Sequence, residues 1–151
     1  MRFVADAMLG RLARWMRFLG YDVLYFKDIE DSQLVRIARS EGRVLLTRDR
    51  GIPLRFRIKC ILIDSEELQT QLQQILKEFP LNSETVAKRC MECNCLLEKV
   101  DKTEVDGLVP EFVRIHRDEF HLCPGCGKVY WEGTHTQNMM ESLNEMGIRL
   151  Y

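Results

Sequence analysis

The first half of this chain alternates short apolar runs with stretches of helical length. The runs are Arg2 to Ala5, Asp22 to Phe26, Arg43 to Thr47 and Lys59 to Ile63. Between the first two, Met8, Leu9, Leu12, Trp15, Met16 and Leu19 recur at helical spacing. Leu34, Val35 and Ala38 make the apolar face of a second helix, which Asp31 or Ser32 can start and Gly42 can close. Leu68, Leu72, Ile75, Leu76 and Phe79 make a third. Strands separated by helices of this length pair in parallel, with the helices packed on the sheet faces. Residues 1–80 are therefore expected to form an α/β unit with a mostly parallel sheet, and Pro80 marks its exit into a linker over 81–88.

Each run delivers an acid at or just beyond its end: Asp6, then Asp28 and Asp31, then Asp49, then Asp64. Acids fill 23 of 151 positions, so any one of these is most simply a turn or cap residue. The repetition at successive strand ends carries more weight, because open α/β sheets build their sites along that edge. Clustered carboxylates repel and need a cation to hold them together. Asp6 and Asp49 are the best placed, followed by Asp31 and then Asp28. Such a set suits Mg²⁺ or Mn²⁺ and in-line attack of water on a phosphodiester. Thr47 can orient a water or a carboxylate through its hydroxyl.

From about Arg89 the texture changes to cysteine pairs, short strands and acidic loops. Cys90-x-x-Cys93 and Cys123-x-x-Cys126 are separated by 29 intervening residues. Two such knuckles complete a tetrahedron around zinc and leave no position open for chemistry, so the expectation for 81–151 is a structural zinc ribbon ending in a helix over Gln137 to Met146. Cys95 reads as a spare thiol and Cys60 as a small core residue.

A net charge of −1 hides a division: residues 1–60 carry 13 basic and 7 acidic groups, and the remainder carries 9 and 16. The basic half suits a polyanion. Arg11, Arg14 and Arg17 recur every third residue on the first helix, and Arg48, Arg50, Arg55 and Arg57 surround the third strand end. Arg11, Arg14 and Arg48 lie nearest the acidic edge and are the candidates for phosphate contact. Arg17 fits a solvated helix face better. His116 and His121 lie in the zinc region as structural or exposed residues, His135 is expected to support the ribbon or to touch nucleic acid, and none offers a catalytic pattern. There is no phosphate-binding loop of the Gly-x-x-x-x-Gly-Lys-Ser/Thr kind and no Gly-x-Gly-x-x-Gly fingerprint, which disfavours an ATPase or a dinucleotide enzyme. No run approaches the ~20 apolar residues of a membrane helix, and no signal peptide is evident, so a cytoplasmic, membrane-free protein is expected.

Several motifs look like one family. Asp6-Ala-Met-Leu-Gly10-Arg11-Leu-Ala-Arg14-Trp15 through Gly20-Tyr-Asp22, Leu45-Leu-Thr47-Arg48-Asp49, Arg89-Cys90-Met-Glu-Cys93-Asn94, and Cys123-Pro-Gly-Cys126-Gly through Trp131-Glu-Gly133-Thr-His135 resemble, in order, the Mut-seven C-terminal ribonuclease family. The resemblance implies a PIN-like three-layer α/β/α domain with an added zinc ribbon, acting on RNA through a divalent-metal site. Asp6, Asp31 and Asp49 would be its acids, Thr47-Arg48-Asp49 its Thr-x-Asp signature, and Asp28 or Asp64 a fourth acid. The rival expectation is a zinc-ribbon module that binds RNA or a protein partner without cutting. A phosphoacceptor domain is disfavoured, because Asp6 is followed by Ala7 rather than by a second acid.

Overall fold

The structure, a computed structural model, describes residues 1–149. Its first unit runs β1 (Arg2–Ala5), α1 (Gly10–Phe18), β2 (Asp22–Tyr25), α2 (Asp31–Glu41), β3 (Val44–Thr47), α3 (Gly51–Phe56), β4 (Cys60–Leu62) and α4 (Leu68–Glu78). All four strands pair in parallel in the order β2-β1-β3-β4. Successive side chains of a strand point to opposite faces. On β1, Phe3 and Ala5 join a core with Leu12, Met16, Leu72 and Ile75 of α1 and α4, while Val4 joins Leu34, Val35 and Ala38 of α2 and Ile52 of α3. The α/β expectation is met as three layers, with both faces of the sheet covered.

The connections fix where a site forms. From β1 the chain goes to β2 on one side, and it returns past β1 to reach β3 on the other. The order therefore reverses between β1 and β3, and crevices in open α/β sheets open at the carboxyl ends of strands at such a reversal. Asp6 follows β1 there, and Asp49 follows β3.

At the opposite edge lies a half-buried polar network. Arg43, immediately before β3, donates to Phe3 O at 3.0 Å and to Asp22 Oδ1 at 2.8 Å. Asn94 donates to the same carboxylate oxygen at 2.7 Å and accepts from the Val23 N–H at 2.9 Å. Burial alone would raise the Asp22 pKa. Hydrogen bonds from Arg43 and Asn94, with the charges of Arg43 and Arg89, outweigh burial and hold it below the usual carboxylate value.

The second half is an antiparallel sheet of β5 (Glu98–Val100), β6 (Phe120–Leu122) and β7 (Val129–Trp131), with α5 (Glu111–His116) between β5 and β6 and α6 (Thr134–Glu145) after β7. Val105, Val109, Phe120 and Val129 make its small core. Met139 and Leu143 of α6, and Ile148 beyond it, instead belong to the core of the first unit, and Gln73 of α4 donates to Met146 O at 3.3 Å. Arg17 is only 6 % exposed, which overturns the solvated face expected for it. It donates to Val23 O at 2.9 Å and to Met91 O at 3.0 Å, tying α1 and β2 to the first cysteine knuckle. Among the described residues no helix is long and apolar enough to cross a membrane.

Candidate active site and metal centre

The acidic edge is organised by Thr47, the last residue of β3 and fully buried. Its hydroxyl donates to Asp6 Oδ2 at 2.5 Å and accepts from the Asp49 N–H at 2.9 Å. Asp6 is buried, and its Oδ2 also accepts from the Arg48 N–H at 2.9 Å. Its Oδ1 accepts from the Met8 N–H at 2.9 Å, which caps the single 3-10 turn Ala7–Leu9. A carboxylate oxygen has two lone pairs. Two donors use both on Oδ2, and Oδ1 keeps one.

Asp49 lies beyond Thr47, with Oδ1 accepting from the Gly51 N–H at 2.8 Å at the start of α3. Asp31 opens α2 in its first turn. One guanidinium joins the two acids: Arg55 Nη2 lies 2.5 Å from Asp31 Oδ2 and 3.5 Å from Asp49 Oδ2. The Arg55 guanidinium carbon sits 5.4 Å from the Phe56 ring centroid. The structure thus brings Asp31 and Asp49 to one cation and connects Asp49 to Asp6 through Thr47. Among the described residues, these acids do not draw three ligand atoms within 4.8 Å of one another, whereas four cysteines do.

The other sequence candidates lie around this edge. Asp28 is exposed in a shallow cleft with Ala7, Glu30 and Gln33. Asp64 pairs with Arg50 at 3.0 Å. Arg48 directs its guanidinium to the carbonyls of Ile63 and Asp64 at 3.4 and 3.2 Å. Arg11 is exposed, and Arg14 pairs with Glu92 of the first knuckle. Sequence reading placed Arg55 in a basic cluster without linking it to Asp31. That link depends on α3, six residues with one buried side chain, Ile52, and no apolar periodicity to announce it.

The cysteine cluster is the clearest metal-suited group. Cys90, Cys93, Cys123 and Cys126 place all four Sγ atoms within 4.8 Å of one another. A tetrahedral zinc with bonds of about 2.3 Å spaces its sulfurs by about 3.8 Å. Cys90 and Cys126 stand 3.8 Å apart and Cys93 and Cys123 3.0 Å, so the second pair opens by under an ångström to fit. Burial pushes the Cys90 thiol up, but the Tyr130 hydroxyl at 3.1 Å and the N–H groups of Cys93 and Glu92 pull it down to about 7. Burial pushes the thiols of Cys93 and Cys123 up. A cation is what allows four such groups to be thiolates together. Cys95 is outside the set, although its sulfur lies against Gly125, where an added Cβ would stand 2.9 Å from it.

The chain matches the Mut7-C RNAse domain family over residues 1–143. It is also similar to a human protein named exonuclease mut-7 homolog, 35% identical over 102 residues. That match covers 62% of this chain and 12% of the human protein. No solved structure matches the chain. The family match spans both the acidic edge and the cysteine cluster, and the chain belongs to the Mut7-C RNAse domain family.

Proposed function

We propose that the protein is a divalent-metal-dependent ribonuclease whose reaction centre is the edge between β1 and β3, with the cysteine cluster as a structural zinc site. The observation that carries this reading is the shared cation: Asp31 and Asp49 both reach Arg55 Nη2, at 2.5 and 3.5 Å. A point reached by two carboxylates and filled by a positive group is where a small ion of the same sign is stable. Asp31 and Asp49 would hold Mg²⁺ or Mn²⁺, and Asp6 would contribute through the free lone pair of Oδ1. When bound, the ion supplies an activated water and stabilises the leaving oxygen of a phosphodiester.

The chain's own residues do the rest. Thr47 keeps Asp6 and Asp49 at fixed separation through one hydroxyl. Arg55, released from the acids, is left beside the edge on an exposed side chain, where its fork suits a phosphate oxygen pair. Arg11, Arg14 and Arg48 are the further candidates for the RNA backbone, and Arg11 is the most available of them. The cysteine cluster has no open position and takes no part in cleavage.

Hydrolysis of an unstructured RNA by the zinc-loaded chain with added Mn²⁺, against the same reaction without Mn²⁺, tests the reading. Loss of cleavage in both Asp6→Asn and Asp49→Asn, with RNA binding kept, is the expected result. A second reading takes the Arg55 contacts as a permanent ion-pair lock in a module that binds without cutting. Metal-independent RNA binding by a native chain that never cleaves would favour it.

A further inference from the structure

A cleft of about 190 Å³ opens where the linker meets the ribbon, at the end of α1 opposite the acids. Phe18, Met91, His121, Trp131, His135 and Lys88 are among its lining residues. Phe18, His121, Trp131 and His135 give it four flat π-systems, beside the exposed ammonium group of Lys88. Tyr130 also lines it, but that hydroxyl is committed to Cys90 Sγ at 3.1 Å. The edge of the Trp131 ring lies close against Gly133: an added Cβ there would stand 2.9 Å from the indole nitrogen. Arg89 and the exposed acids Glu119 and Glu132 also line it. Carboxylates repel phosphate but accept hydrogen bonds from exocyclic base amines. The lining therefore suits the π-face and edge of a nucleobase, with its phosphate left to Lys88.

The route from the acids to this cleft is basic. The nine residues of α1 span about 13 Å. Arg11 lies in its first turn. Arg14 follows and pairs with Glu92, which Lys128 also approaches at 3.7 Å, and Glu92 adjoins the cleft residue Met91. Two cations share that one acid, so a positive balance remains along the way.

We propose that the cleft is a nucleobase subsite for single-stranded RNA. One unstacked base rests on Trp131 and His135, its phosphate pairs with Lys88, and the strand runs along α1 to the acidic edge. This rests on the reading of RNA as substrate. Stacking on aromatic side chains with cations tracking the backbone is how single strands are gripped without sequence readout.

The test uses the full zinc-loaded chain carrying Asp49→Asn, so that binding is read without cleavage. A fluorescently labelled single-stranded RNA of about ten nucleotides is titrated by anisotropy. Tryptophan emission is followed in a companion Trp15→Phe protein, which leaves Trp131 as the reporter. The expected results are quenching of Trp131 on binding and a loss of affinity of about tenfold in Lys88→Glu/His135→Ala. Both substituted residues are exposed, so the melting temperature stays unchanged. Unaltered affinity in the double variant, or an unmoved Trp131 signal, overturns the proposal, and a cleft that serves a peptide gives that result. Failure of the native chain to cleave RNA would strike the nuclease reading alone, because neither binding readout depends on hydrolysis.

Discussion

Asn94 has a left-handed backbone, φ +72°, and a buried amide that both accepts from Val23 and donates to Asp22. In Asn94→Ala the buried Val23 N–H loses its partner, at a cost of about 1–3 kcal/mol. The left-handed backbone also loses a residue type that tolerates it. Urea unfolding should show a lower midpoint with an unchanged slope. Its neighbour Asp22 sets an acid limit. A carboxylate whose pKa is depressed by folding adds stability above its unfolded value of about 3.9 and loses it as pH falls through the lower folded value. Asp22→Asn should therefore lower stability at neutral pH and flatten the fall below about pH 4 in a pH series of melts. Arg55→Ala removes the cation that competes for Asp31 and Asp49, so Mn²⁺ binding followed by electron paramagnetic resonance should tighten by several-fold, while RNA affinity falls. Residues whose partners are fixed by short sequence spacing were legible: the two Cys-x-x-Cys pairs, and Thr47 with Asp49. Arg17, Asn94 and Arg55 were not, because each acts on groups brought to it by the fold rather than by the chain.

At the scale of elements, the alternation of apolar runs and periodic stretches gave every strand of the first sheet and three of its four helices. α3 was missed because six residues with Pro53 inside carry no 3.6-residue repeat. α6 begins at Thr134, three residues before the expected Gln137, because its apolar stripe starts only at Met139. The turn between α1 and β2 shows how one atom can decide an element's fit. Gly20 has φ +99°, and a Cβ there would stand 2.4 Å from Thr85 Oγ1 and 2.5 Å from Thr85 O. Gly42 closes α2 at φ +61° with nothing within 4 Å of an added Cβ. Gly42→Ala should cost about 1 kcal/mol of backbone strain alone. Gly20→Ala should cost clearly more, because the 81–88 segment must also shift, and paired thermal melts measure the difference.

For the whole molecule, the change of sequence texture near Arg89 was read as a division into two units, but an amphipathic stripe says only that an apolar face exists, not what it covers. Thus α6 was expected as the end of a ribbon, whereas its Met139 and Leu143 fill the core beneath α4. The ribbon is also bound to the first unit by Arg17 and Asn94. Stripping zinc with a chelator should therefore lower the melting temperature of the α/β unit as well as the ribbon, in one shifted transition by circular dichroism rather than two separate ones. Zinc loss should become easier as pH falls, because thiolates bind protons in competition with the metal. The placement of α6 has a consequence for biogenesis. Chains leave the ribosome from the N-terminus, so the acidic edge is made early, while the helix that seals the apolar side of α4 starts 87 residues after the end of β3. A nascent chain thus carries its acidic groups on an unfinished scaffold until α6 is free of the tunnel.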